Sequence, residues 1–179
     1  MGVGLAAPAF LAEDESGSGS SDFERRPARR LEAVGRPPRE RSRRRLRVLL
    51  VEDDPSMRLV CTVNLEAAGF EVIAASTGSE GVELAESEQP DLVLLDVMLP
   101  DLGGFEVAER LPAVPVVFLS ARASMEDLER GRLVGAIDYV TKPFDPIGLP
   151  IRLREDLELL SEGGPGRVWR SRFGSWPSE

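Results

Sequence analysis

Histidine is absent from the 179 residues of this chain. That excludes zinc sites built on imidazole, Ser-His-Asp and Cys-His hydrolases, and any phosphohistidine carried by the chain itself. Cysteine occurs once, at Cys61, so no intramolecular disulfide can form and nothing points to an oxidising compartment. No apolar run approaches the roughly 20 residues of a membrane-spanning helix. The N-terminal stretch MGVGLAAPAFLA is apolar, but no basic residue precedes it and Glu13, Asp14 and Glu15 follow, a poor fit to a signal peptide. Ala6 stands where a myristoylation pattern needs Ser or Thr. The chain therefore reads as cytoplasmic, with no membrane partner. Lysine is also scarce: of 22 basic residues only Lys142 is not an arginine.

What is present suits one domain with tails, since 42% of residues are hydrophobic and 30% charged. The net charge of −9 is unevenly spread. Residues 1–46 carry a net +3, residues 47–162 a net −14, and residues 163–179 a net +2. The acidic middle should repel nucleic acid and attract divalent cations or basic partners. Residues 1–45 read as a disordered Arg-rich extension, with the run SGSGSS, the pair Pro37-Pro38 and no periodic apolar residues. Residues 46–162 read as one domain. The last 17 residues, 163–179, read as a tail too short for an output domain.

Within that domain, apolar runs alternate with helical periodicity. RVLLV, FEVIAA, DLVLLD, VPVVFLS and AIDYVT read as five strands, several apolar throughout as in strands buried on both faces. Asp54 and Pro55 read as N-cap and first-turn proline of a helix whose apolar positions are Met57, Val60, Cys61, Leu65 and Ala68, closed by Gly69. Further helices are expected over Thr77 to Ser87, about Gly104 to Leu111, Ser124 to Leu133, and Leu149-Pro150 to about Leu160. Five alternations with short connections imply an α/β fold: a doubly wound, five-stranded parallel sheet with right-handed crossovers.

Ligands of such a sheet bind at the carboxyl ends of its strands. Glu52, Asp53 and Asp54 follow strand one, Asp96 ends strand three, Ser120 ends strand four, and strand five runs into Lys142 and Pro143. Crowded carboxylates raise one another's pKa, and a divalent cation relieves the conflict. Mg²⁺ prefers oxygen ligands and keeps sites for water and phosphate. An aspartate beside it can attack phosphorus, with Lys142 as a point charge and Ser120 as a donor. Asp101 and Asp145 read as loop and N-cap acids.

The segments VLLVEDDPSMR, DLVLLDVMLPDLGGFEV, VPVVFLSAR and GAIDYVTKPFD, in this order, closely resemble the receiver domain of two-component response regulators. The resemblance covers about residues 47–160. It implies a flavodoxin-like strand order, 2-1-3-4-5, and phosphoryl transfer from a sensor histidine kinase or phosphotransfer protein to Asp96. It further implies that Asp53, Asp96 and the Met98 carbonyl bind Mg²⁺, with Glu52 acting partly through water. Ser120 takes the hydroxyl role, Lys142 the lysine role and Tyr139 that of an aromatic switch, turning inward as Ser120 moves. A downstream effector would read the face formed by helix four, strand five and helix five. A cis Lys142–Pro143 bond is expected. The stretch from Gly104 to Val114 is shorter than the family's, so helix three should be truncated.

On this reading the chain is a stand-alone receiver, catalysing only its own phosphorylation and dephosphorylation, and direct DNA binding is not expected. Two alternatives stand beside it. One is a pseudo-receiver that is never phosphorylated. The other is an aspartate-nucleophile phosphohydrolase, disfavoured because no second aspartate follows two residues after Asp96. The Arg-rich arm allows a third, salt-dependent nucleic-acid contact. Trp169, Phe173 and Trp176 fall at helical spacing among arginines, as in a small docking motif, but Gly174 and Pro177 argue for a frayed tail.

Overall fold

The computed structural model describes residues 44–122 and 124–174. The arm up to residue 43, and Trp176 of the tail, lie outside the described residues. Five strands, β1 (Arg47–Val51), β2 (Glu71–Ala75), β3 (Leu92–Asp96), β4 (Val116–Ser120) and β5 (Asp138–Thr141), form one parallel sheet of order β2-β1-β3-β4-β5. The helices are α1 (Pro55–Ala67), α2 (Gly78–Glu88), α3 (Gly104–Arg110), α4 (Met125–Leu133), α5 (Leu149–Gly163) and α6 (Pro165–Phe173). The doubly wound order expected above is the one observed.

Alternation along each strand divides the core. Leu49, Val51, Leu95 and Phe118 face one layer, which includes residues of α3 and α4; Val48, Leu50, Leu94 and Leu119 face the other, with α1 and α5. The central strands β3 and β4 are buried along their whole length, as uninterrupted apolar runs require. Their ends therefore hold polar side chains at fixed depth at one rim of the sheet.

Local signals set the helix starts. Asp54 accepts a hydrogen bond from the Met57 N–H at 2.8 Å, with Pro55 in the first turn. The chain reverses after α1 at Gly69, whose φ of +87° suits glycine. Thr77 caps α2, and Ser124 with Asp127 forms a full capping box on α4. Asp101 is more than a loop acid. It accepts the Gly78 and Ser79 N–H groups at 2.7 and 2.9 Å and so caps α2 from the β3–α3 loop.

Of the apolar positions along α1, Cys61 and Leu65 are buried, whereas Val60 and, just past the helix, Ala68 are exposed. Two expectations need correction. α5 runs on to Gly163. The segment read as a frayed tail forms α6, with Val168 and Trp169 buried. Helix three is short, at 7 residues. The Lys142–Pro143 bond is cis, as expected. Among the described residues, no helix is long and apolar enough to cross a membrane.

Candidate functional site

The rim at the carboxyl ends gathers the residues picked out from the sequence. Val51 ends β1, so Glu52 and Asp53 leave the sheet beside Asp96, the last residue of β3. One carboxylate oxygen from each of Glu52, Asp53 and Asp96 lies within 4.8 Å of the other two. Glu52 and Asp96 are buried, whereas Asp53 is exposed and leaves the cluster open to solvent. Three hard oxygen donors around an accessible centre suit Mg²⁺ better than a softer metal.

Lys142 arrives from β5 and joins the cluster. Its Nζ donates to Asp96 Oδ2 at 2.6 Å and to Glu52 Oε2 at 2.7 Å. Burial works against its charge, but the hydrogen bonds to Asp96 and Glu52 prevail and hold its pKa above the ordinary value. For Glu52, burial is the main influence and raises the pKa; the neighbouring Asp96 charge adds to this and Lys142 opposes it. Removing the ammonium would leave two buried carboxylates facing each other.

The β3–α3 loop fixes Asp96 from below. The Met98 N–H donates to Asp96 Oδ1 at 2.9 Å, while the Met98 side chain, 72% exposed, points away from the core. Ser120 ends β4, one residue beyond the partner of Asp96 in the sheet register. Its Oγ accepts the Arg122 N–H at 3.1 Å. The hydroxyl thus also serves as the turn cap that such a position invites. Tyr139 is only 2% exposed, and its hydroxyl donates to the Arg122 carbonyl at 3.1 Å. Burial raises the phenol pKa. The ring expected to turn inward is already inside, packed 5.8 Å from the Phe118 ring and tight against Gly131 of α4.

Two contributors carry no chemistry legible in the sequence. Gly104 sits so close to the end of β3 that a Cβ there would collide with the Asp96 carbonyl and stand 2.7 Å from Val97 Cα. The adjacent pair Gly103-Gly104 after a strand is the only signal of it. Arg58 of α1 donates to the Glu52 and Asp53 carbonyls at 2.7 and 3.1 Å, tying down the backbone that carries both acids. Beside the acids opens a cavity of about 470 Å³, lined by residues that include Glu52, Met57, Val60, Lys142 and Phe144.

The profile of the response regulator receiver domain matches residues 48–154. The transcriptional regulatory protein CseB of Streptomyces coelicolor is 44% identical over 122 residues, which cover 66% of this chain and 52% of that protein. The alkaline phosphatase synthesis transcriptional regulatory protein PhoP of Bacillus subtilis is 41% identical over 123 residues, covering 66% and 51%. The chain thus spans about half the length of these relatives. Among solved structures, a CheY-like response regulator receiver domain protein from Methanospirillum hungatei superposes with a TM-score of 0.62 at 31% identity, over 68% of this chain and all of that one.

Proposed function

The chain belongs to the response regulator receiver domain family, and from that premise we propose that it takes a phosphoryl group on Asp96 from the phosphohistidine of a sensor histidine kinase or phosphotransfer protein in the cytoplasm. The observation that carries the assignment is the Lys142 ammonium held between Asp96 and Glu52 at 2.6 and 2.7 Å, in a cluster open to solvent at Asp53.

An Asp96 carboxylate oxygen attacks phosphorus as the donor's P–N bond breaks. The imidazole leaves with a proton from solvent, and Asp96 becomes an acyl phosphate. Hydrolysis reverses the charge: water attacks phosphorus, the new P–O bond breaks, and inorganic phosphate leaves with the carboxylate restored. The Met98 N–H and Lys142 hold the two Asp96 oxygens in fixed directions, so attack needs little reorganisation. The compact ammonium passes its hydrogen bond from Asp96 Oδ2 to a phosphoryl oxygen, which a guanidinium fork would do less well. Ser120 can turn its Oγ away from the Arg122 N–H and donate its O–H to another phosphoryl oxygen. Asp53, Asp96 and the Met98 carbonyl would hold Mg²⁺, with Glu52 acting partly through water. When bound, Mg²⁺ supplies neutralisation of the carboxylates and of the transferred charge.

Output goes through a protein partner on the α4–β5–α5 face. Direct DNA contact is not expected of a body whose residues 47–162 carry a net −14. A phosphohydrolase gains nothing from the site, since Met98 stands where a general acid would be needed.

The test is intact mass after incubation with Mg²⁺ and acetyl phosphate. A phosphoryl adduct labile to hydroxylamine is expected on the wild type and absent from Asp96→Asn. Lys142→Ala should form it far more slowly. Equal labelling of wild type and Asp96→Asn would remove the assignment.

A further inference from the structure

The face assigned to the partner is already partly covered. α6 packs against α5 and the edge strand β5. A β5 edge left bare would offer unpaired backbone groups to another chain. The indole of Trp169 is buried, and its Nε1 donates at 2.6 Å to the carbonyl of Ala136, just ahead of β5. The Trp169 and Phe173 rings stack 4.7 Å apart. Three residues beyond Trp169, Arg172 reaches inward. Its Nε donates to Asp156 Oδ1 at 2.8 Å, and its Nη2 to the Arg152 carbonyl at 3.1 Å and Glu155 Oε2 at 3.0 Å. Asp156 on α5 and Asp138 on β5 are both fully buried, so the guanidinium seals an acidic pocket between strand and helix. The reversal between α5 and α6 runs through Gly163 and Gly164, the latter at φ +71°.

This cover is connected to the phosphoryl site. The Arg122 peptide is held at both ends, its N–H by Ser120 Oγ and its carbonyl by the Tyr139 hydroxyl. The Tyr139 ring shares one core cluster with Trp169 and Phe118, and Phe173 packs against it. If Ser120 turns to a phosphoryl oxygen, the Arg122 N–H loses its acceptor and the loop that positions Tyr139 loosens. The strain then falls on the cluster that seats Trp169.

We propose that α6 is a resident ligand of the β5–α5 side of the output face, and that phosphoryl transfer to Asp96 loosens it so that a partner can take its place. The inference rests on the phosphoryl-acceptor reading above. It assigns α6 an autoinhibitory role, with Trp169 and Arg172 as its two anchors.

The chain has two tryptophans, so Trp176→Phe leaves Trp169 as the only indole reporter. This full-length variant is incubated with Mg²⁺ and acetyl phosphate, while mass and Trp169 fluorescence are followed in the same sample. As the adduct accumulates, the emission should shift to the red and acrylamide quenching should increase. Neither should change when Asp96→Asn is added to the variant. Arg172→Gln, in the same background, should raise quenching before any acetyl phosphate is present. Adduct formation with unchanged emission and quenching would overturn the inference and leave the phosphoryl-acceptor reading intact. Absence of any adduct would overturn that reading, and the inference with it. Unchanged quenching in Arg172→Gln would remove the arginine anchor.

Discussion

At Gly104 the lack of a side chain lets the loop after Asp96 close. The backbone of α3 lies against the end of β3, and its N–H donates to the Val97 carbonyl at 2.9 Å. A methyl group at 104 would meet backbone atoms, which cannot turn aside as a side chain can. Gly104→Ala should therefore lower stability by about 1–3 kcal/mol, the usual cost of overpacking. It should also slow adduct formation on Asp96, because the displaced loop carries the Met98 N–H that holds Oδ1. Urea unfolding and the rate of mass increase measure the two effects, and wild-type values in both would refute the argument. The acids, the hydroxyl and the lysine of the site were legible because they close apolar runs, where a charged group needs a partner. Gly104 was not, because the need for a missing Cβ comes from the distance between two backbones. The resting place of Tyr139 was hidden for a related reason: an aromatic on an edge strand is buried only if other elements cover that edge.

Among the elements, α4 depends most visibly on its first turn. Its sequence, MEDLERGRL, buries only Leu128 and Gly131, so packing does little to hold its start. Ser124 takes the Asp127 N–H at 3.1 Å, and Asp127 returns a carboxylate oxygen to the Ser124 N–H at 3.2 Å. Ser124→Ala should weaken the helix by about 1 kcal/mol. Hydrogen exchange of the first α4 amides should then quicken, while that of β3 and β4 stays slow. Equal protection of α4 in both proteins would show that the cap is dispensable. The five strands were readable from the sequence because double-sided burial leaves an unbroken apolar signature. α6 was not. Trp169 and Phe173 fall at helical spacing, but the apolar residues are few and Gly174 and Pro177 follow closely, so the local signals conflict. Trp169 is a core residue packed in the cluster of Phe118 and Tyr139, with its indole N–H satisfied by the Ala136 carbonyl at the sheet edge. That relation joins positions 33 residues apart.

For the whole molecule, the balance of buried charge makes stability depend on pH in an unusual sense. Asp156 is fully buried on α5, and burial with the nearby Asp138 charge raises its pKa to about 7, against the pull of Arg172. Asp138 is itself paired in two hydrogen bonds with Arg152, and Glu155 shares Arg172, so neither arginine is free to neutralise Asp156 alone. Asp156 Oδ2 has no hydrogen-bond partner, and a proton there gives it a donor toward Asp138. A carboxyl whose folded pKa lies above its unfolded value of 3.8 favours the folded state when protonated. Its contribution is complete below the unfolded pKa and is lost as pH rises to about 7. Most carboxylates with lowered pKa values act in the opposite direction. Asp156→Asn keeps the shape and an acceptor for Arg172 but removes the titration. Relative to wild type, the variant should gain stability as pH rises through this window, with a slope of at most about 1.4 kcal/mol per pH unit. Urea unfolding of both proteins at several pH values gives the difference directly. A difference that does not change with pH would mean that Asp156 stays ionised throughout, with Arg172 fully offsetting its burial.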